Sequence, residues 1–203
     1  MSPAHVLEPT YASIKQKLLD GAWPPGSRLE SGRIADLVGV SMTPVRDSLN
    51  RLVGERLVDL QPGFGFHVPR LCTFDLRELL ELNLVLVRPA MKRMEHAEPT
   101  EIPSRSADLA LRSRAVFSYI AAAARNEALT DAIESLNDRL HPFRRIEAEV
   151  LCDAKQEVAD LEAMLINSPS RQTAVAMRRY HQRRISAAPR LVAMLQQVHP
   201  TRS

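Results

Sequence analysis

The sequence predicts a mainly α fold in which a small N-terminal unit of helices and one β-hairpin precedes an all-α antiparallel helical bundle. The chain has 203 residues, enough for two small domains. Aromatic residues make up only 4% of it, which disfavours an all-β sandwich. Apolar residues recur at helical spacing through most of the chain, and two short β-compatible runs flank PGFG near residue 63.

The first two helices follow from apolar spacing and glycine stops. Residues 10–20 place Tyr11, Ile14 and Leu18 on one face, and a glycine at position 21 supplies the stop. After the turn WPPGSRLE, a second helix is predicted from about residue 32 to 38, with Ser31 as its N-cap and a glycine ending it. Its inward-facing residues are predicted to be Ile34, Leu37 and Val38.

A third helix is predicted to begin two residues later. Ser41 is a good N-cap, and Pro44 is tolerated because it lies in the first turn, where its missing N–H would be unpaired anyway. One buried stripe follows at helical spacing: Val45, Leu49, Leu52 and Val53. The opposite face carries Thr43, Arg46, Asp47 and Asn50. LVDLQ and FHVPR then form a predicted hairpin whose tip, PGFG, holds two glycines.

From Thr73 onward the chain is predicted to be helical. FDLRELLELNLVLVRPAMKRM forms one long helix with a kink near Pro89, and EPTEIPSRS forms a loop. Further helices are predicted over 106–124, 128–151, 153–167 and 170–198. The third of the five helices alternates apolar spacings of four and three, which suits an antiparallel bundle: Leu129, Ile133, Leu136, Leu140 and Phe143. The predicted domains are residues 1–72 and 73–203.

The bulk composition is that of a soluble globular protein. No apolar run approaches the roughly 20 residues that span a bilayer, and the N-terminus does not resemble a signal peptide. Cys72 and Cys152 lack metal-ligand spacing, so free buried thiols in a reducing cytoplasm are expected rather than a disulfide. A net charge of +3 is compatible with an anionic partner without requiring one.

Helix, sharp turn, helix and hairpin is the order of a winged helix-turn-helix, whose second helix enters the DNA major groove. Arg46 can donate two parallel hydrogen bonds to guanine, while Ser41 and Thr43 can hold phosphate at the helix N-terminus. The tip from Gly63 to Gly65 is slim enough to approach a minor groove. Each feature alone also fits an ordinary cap, a solvated arginine or a turn, so the prediction depends on their joint order.

The stretch DGAWPPGSRLESGRIADLVGVSMTPVRDSLNRLVGERLVDLQPGFGFHV resembles the DNA-binding domain of the GntR family of bacterial transcription regulators. This resemblance implies that double-stranded operator DNA is the partner. The DNA-contacting positions of the family fall on Ser41, Met42, Thr43, Pro44, Arg46, Gly63 and Gly65, with Arg28 and Arg33 as phosphate partners. The alternative is a winged helix used for protein contacts.

Two residues depart from the family pattern. Met42 stands where the family usually has arginine, which should lower DNA affinity and its salt dependence. Arg56 stands where the family often has glycine.

The helical half resembles the ligand-binding and dimerisation domain of FadR-type members, known as the FCD domain. Many of these bind a divalent metal that helps to hold an organic acid. The four matched ligand positions here hold Arg114, Ser118, Val158 and Tyr180, with His181 one position away, so no metal or other cofactor is expected.

The same replacement suggests a direct carboxylate effector site at Arg114, Ser118 and Tyr180, because a guanidinium binds carboxylates bidentately. Alternatively the pocket has decayed or Arg114 faces solvent. The late run RRYHQRRISAAPR is interpreted as a solvated helix face rather than a second nucleic-acid contact.

No catalytic motif points to an enzyme: the chain has no phosphate-binding glycine loop, no HExxH and no nucleophile paired with a base. The prediction is a homodimeric DNA-binding transcription regulator, repressing by analogy with the family and controlled by a small anionic metabolite. The alternatives are a dimeric regulator that has lost small-molecule sensing and a protein-interaction module.

Overall fold

The computed structural model describes residues 4–94, 102, 106–167 and 171–198. The chain divides into two compact units, one running to Leu71 and including the chain end from Gln196, the other running from Cys72 to Leu195. Most of the predicted EPTEIPSRS loop lies outside the described residues.

The N-terminal unit contains three helices and a two-stranded wing. Helix α1 spans Ala4–Leu19, α2 spans Ser31–Val38 and α3 spans Met42–Gly54. Strands β1, Asp59–Gln61, and β2, Gly65–His67, pair antiparallel. The helices share a core that contains most of the predicted apolar residues: Tyr11, Ile14, Leu18, Leu29, Ile34, Ala35, Val45, Leu49, Leu52 and Val58.

The predictions for α2 need two corrections. Leu37 was expected to face the core, but its side chain is 58% exposed, and Ala35 is buried instead. Ser31 lies inside the helix, and Glu30 occupies the N-cap position. An eight-residue helix makes only two turns, so neighbouring helices decide which of its apolar side chains are covered.

The wing has a third participant that the sequence did not indicate. The segment before α2 runs along β2, where Leu29 N–H donates to the Phe66 carbonyl at 2.8 Å and Val68 N–H donates to the Ser27 carbonyl at 2.9 Å. Arg28 thereby forms a bridge with His67. These hydrogen bonds anchor the hairpin to the helical part of the unit.

The second unit is entirely helical in the part of the chain that is described. Helix α4 spans Thr73–Met94 and continues through Pro89, α5 spans Leu109–Ala123, α6 spans Glu127–Val150, α7 spans Ala154–Ile166 and α8 spans Arg171–Val198. The mainly α prediction is confirmed. On α6, four of the five residues of the predicted stripe are buried: Ile133, Leu136, Leu140 and Phe143.

The thiols are placed differently from the prediction. Cys72 and Cys152 are free, as expected, but both are exposed rather than buried. Among the described residues, no helix is long and apolar enough to cross a membrane.

Candidate nucleic-acid interface and the helical interior

The N-terminus of α3 presents unengaged polar groups to solvent. Ser41 takes an extended N-cap conformation, and its hydroxyl makes no capping hydrogen bond. The first N–H groups of a helix have no intrahelical partner, so they remain available to an anion. Ser41, Met42, Thr43 and Arg46 are all exposed, and Pro44 is half-buried in the first turn.

Arg46 extends from the exposed face of this helix. Across the described residues it forms no ion pair, unlike Arg33, whose Nε lies 3.0 Å from the Glu30 carboxylate. Both members of the Arg33 pair are largely exposed, so this contact is weak and can exchange for a phosphate.

Met42 lies beside the start of α2. A Cβ added to Gly32 would come 3.9 Å from the Met42 sulfur, and the Met42 side chain is 49% exposed. The thioether therefore leans toward Gly32 without being enclosed, and a longer side chain at this position has room to reach solvent.

The wing tip combines two left-handed glycines with an exposed aromatic ring. Gly63 has φ 77° and Gly65 has φ 87°, a region that costs other L-residues energy. Phe64, between them, is 69% exposed. A Cβ on Gly65 would lie 3.9 Å from Arg28 Nε, so the structure brings this predicted phosphate partner to the wing. The sequence reasoning missed Phe64, although a lone phenylalanine between two glycines was a visible signal.

Helix α3 is held against α1 by a polar cluster at its C-terminal end. The Tyr11 hydroxyl donates to the Glu55 carboxylate at 2.6 Å, and Lys15 Nζ donates to the other oxygen of that carboxylate at 2.9 Å. The Arg51 guanidinium lies 3.6 Å from the centre of the Tyr11 ring. Burial and the Glu55 contact raise the pKa of Tyr11, so it stays a donor at neutral pH. This cluster fixes the orientation of α3 within the unit.

In the helical unit, Arg114 is already paired. Its guanidinium donates to Glu134 at 2.9 Å and also to Asp138, both on α6. The Ser118 hydroxyl donates to the same Glu134 carboxylate and accepts from Asn137 Nδ2 at 3.2 Å. The structure thus joins Arg114 and Ser118 through Glu134, and Arg114 is about one-third exposed.

Tyr180 packs in an aromatic group that is linked to this network through Arg144, whose guanidinium lies 4.6 Å from the Phe117 ring centre and donates to Asn137 at 2.8 Å. Tyr180 is 2% exposed, with its ring centre 5.5 Å from that of Phe117 and 5.2 Å from that of His181. The guanidinium of Arg184 lies 3.4 Å from the Tyr180 ring centre. Burial raises the pKa of the Tyr180 hydroxyl.

Arg184 is the polar centre of the interior, and the sequence interpretation of its segment as a solvated face is wrong at this position. The side chain is 1% exposed, and it donates to both oxygens of Glu147, at 2.9 and 2.8 Å. It also donates to Glu157 and to the Tyr180 carbonyl. A second arginine, Arg144, is likewise buried.

These side chains fill the interior. The cavity that they line together with Leu76 and Leu191 measures about 10 Å³, at the lower limit for a single water molecule. It has no room for an organic acid without rearrangement.

The four positions that match metal ligands of FadR-type proteins do not form a metal site in the described part of the chain. Val158 is buried and apolar. His181 Nδ1 lies 2.8 Å from the Met177 carbonyl, to which it donates, and His181 Nε2 lies 2.8 Å from the side-chain amide of Asn83, from which the neutral ring accepts. Burial lowers the pKa of His181 to about 3, so the ring is neutral. Among the described residues, no group of three histidine, cysteine or acidic side chains could hold a metal ion.

Comparisons with known proteins show what the N-terminal unit resembles. Residues 8–68 match the family described as bacterial regulatory proteins, gntR family. The chain is 33% identical over 93 residues to the HTH-type transcriptional regulator McbR of Escherichia coli (strain K12), an alignment covering 44% of this chain and 42% of McbR. A second relative, an HTH-type transcriptional regulator in the TAR-I ttuE-ttuC' intergenic region of Agrobacterium vitis, is 28% identical over 127 residues, covering 63% of this chain and 72% of the relative.

Solved structures support the fold over nearly the whole length. E. coli McbR/YncC aligns with a TM-score of 0.65 and 21% identity, covering 95% of this chain and 98% of that one. A GntR transcriptional regulator from Rhodococcus sp. RHA1 aligns with a TM-score of 0.62 and 18% identity, covering 97% and 99%. The matched family and relatives are transcription regulators, not enzymes. The N-terminal unit of this chain is therefore similar, over residues 8–68, to the gntR family of bacterial regulatory proteins.

Proposed function

We propose that the protein is a homodimeric, sequence-specific DNA-binding transcription regulator. The observation that carries this proposal is the exposed N-terminus of α3, where Arg46 has no partner in the described structure and the Ser41 hydroxyl makes no cap. An arginine held on a rigid helix can form two hydrogen bonds with guanine, while helix N–H groups hold phosphate. A second contact, with the phosphate backbone of the DNA, is made at the wing by Gly63, Gly65 and Arg28.

The DNA claim is tested by selecting bound fragments from a genomic library and by measuring affinity for the enriched site. Arg46→Ala should weaken specific binding about tenfold to a hundredfold, the worth of one bidentate base contact. Lys155→Ala, which removes an exposed cation from the helical unit, serves as the control. The proposal is wrong if no palindromic site is enriched, or if both variants bind as the wild type does.

The helical unit is proposed to be a FadR-type domain that dimerises. Two-fold symmetry would match the two half-sites of a palindromic operator. Repression by occupancy of the operator follows from the family resemblance, and a promoter fused to a reporter, with and without the regulator, distinguishes repression from activation.

Control by a carboxylate effector at Arg114, Ser118 and Tyr180 is one form of this function, and a dimer that senses no small molecule is the other. Arg114 already faces two carboxylates, so an anion must displace one of them against the repulsion of the other. Tyr180 is joined to Ser118 indirectly, through Phe117, Arg144 and Asn137, and the interior cavity holds at most a water. These contacts favour the form without sensing at this position.

A thermal-shift screen of organic acids separates the two forms. No shift that depends on Arg114 is expected with any acid, with or without chelator. A carboxylate that stabilises the wild type but not Arg114→Ala would refute this choice.

A further inference from the structure

Helix α4 presents an apolar strip to solvent beside a wide groove. Leu82 is 46% exposed, Val85 is 62% exposed, and Pro89 is also exposed. The groove between α4 and α8 has a volume of about 710 Å³, with Val85, Pro89 and Val175 among its lining residues. Burying these side chains against an apolar partner would stabilise the contact by about 25 cal/mol per Å².

The charges along this strip are separated by sign. Glu78 and Glu81 precede Val85, whereas Arg88 and Lys92 follow it, and all four side chains are exposed. In the described structure none of the four forms an ion pair. Two more cations, from α8, also line the groove: Arg171 and Arg178.

This pattern is self-complementary about Val85. Glu78 and Lys92 each lie seven residues from Val85, and Leu82 and Arg88 each lie three residues from it. When two such helices lie antiparallel with Val85 on the two-fold axis, each acidic half meets the basic half of the other copy. An interface that uses the same patch on both copies requires this symmetry.

We propose that the α4 strip is the homodimer contact, with the acidic half of one α4 seated in the basic groove between α4 and α8 of its partner. This inference rests on the homodimer of the proposed function and locates its interface. A small anion in the groove would satisfy the cations but would leave Glu78 and Leu82 in water. A second copy satisfies both ends and covers the apolar centre.

Charge reversal tests the pairing in the absence of DNA. Glu78→Lys and Lys92→Glu each place like charges at two symmetry-related contacts, so the dimer dissociation constant from analytical ultracentrifugation should rise at least about tenfold. The double variant, Glu78→Lys with Lys92→Glu, restores opposite charges and should return to within about threefold of the wild type. Glu149→Lys, at an exposed position on α6, should have no effect, and circular dichroism checks that each variant is folded.

Cross-linking tests the position of the axis. In a Cys72→Ser, Cys152→Ser background, Val85→Cys should form a disulfide with its own copy under mild oxidation, because bridged Cα atoms lie within about 7 Å. Met164→Cys, an exposed residue on α7, should not.

A monomeric wild type, or a dimer that ignores both charge reversals and fails to cross-link at position 85, would overturn the proposal. A chain that dimerises in this way but selects no operator would refute the DNA function alone. A chain that binds its operator while Glu78→Lys leaves dimerisation unchanged would refute this interface alone.

Discussion

Arg184 provides the most demanding test of how the helical unit is held together. Its guanidinium is 1% exposed and donates two hydrogen bonds to Glu147, whose side chain is only 3% exposed. Arg184→Met keeps much of the side-chain volume but removes the charge and every donor. Glu147 is then left buried without its hydrogen-bonded cationic partner, and breaking a buried pair in this way typically costs about 3–5 kcal/mol of the free energy of unfolding.

A second variant separates the cost of leaving Glu147 without Arg184 from the net contribution of the ion pair to the free energy of unfolding. The double variant, Arg184→Met with Glu147→Met, removes both members of the pair, while the buried Arg144 keeps its hydrogen bond to Asn137 at 2.8 Å but loses the attraction of Glu147. Replacing a whole buried ion pair by apolar side chains is commonly neutral or stabilising. Glu157 keeps a second partner, Arg183, at 3.1 Å. We therefore expect the double variant to recover part of the stability that the single variant loses.

Urea denaturation at one fixed protein concentration measures both effects. Far-ultraviolet circular dichroism follows mainly the helical unit, while Trp23, the single tryptophan, reports on the N-terminal unit. With a slope of about 2 kcal/mol per molar urea, the single variant should lower the circular dichroism midpoint by about 1.5–2.5 M. The reasoning fails if the single variant loses less than about 1 kcal/mol, or if the double variant is no more stable than the single one.

Three further predictions concern named positions. Met42→Arg should tighten operator binding and steepen the log–log salt dependence by about one unit, measured by fluorescence anisotropy in a salt series; an unchanged slope would show that position 42 does not meet phosphate. Arg56→Gly should raise the free energy of unfolding by about 0.5 kcal/mol, since φ 59° strains an arginine by more than glycine loses in backbone entropy; equal or lower stability in urea would contradict this. The pKa of His181 is about 3 in the folded protein against 6.5 for an ordinary histidine, so unfolding takes up a proton below about pH 6.5 and stability falls as the pH drops. A histidine with such a lowered pKa reduces the free energy of unfolding by about 1 kcal/mol at about pH 5.5. His181→Gln should therefore flatten the pH dependence of the free energy of unfolding between about pH 7 and pH 5.5, measured by urea titrations.

Local signals predicted well where α3, the proposed DNA-recognition helix, begins. The stop at Gly39, the N-cap at Ser41 and the first-turn Pro44 all act within a few residues, so the sequence alone indicates where α3 begins. The departure at Arg56 was also visible, and the structure gives its physical meaning: a left-handed conformation that glycine would adopt without strain. The pairing of the segment before α2 with β2 was not predictable in this way, because its hydrogen bonds join residues about forty positions apart.

Tertiary contacts decide what the sequence pattern left open. Leu37 has the spacing of a core residue, but α2 turns Ala35 inward instead. Arg184 lies in a run of arginines that is typical of a solvated face. In the structure it is buried and pairs with Glu147, which lies on another helix. A one-dimensional charge count cannot distinguish these cases, because burial depends on which helices cover the residue.

The packing of the interior also limits how a signal could act. An effector shifts an equilibrium only by its difference in affinity for two states. A cavity of about 10 Å³ is too small for an organic acid, so entry would require breaking the Arg184–Glu147 pair or displacing a carboxylate from Arg114. Breaking the buried pair costs several kcal/mol, which would weaken apparent binding by a factor of a hundred or more. The exposed groove beside α4 has no such cost. In the dimer that we propose, a ligand that competes there with Glu78 of a second copy would change the dimer itself, and therefore the proposed pairing of two α3 helices on an operator.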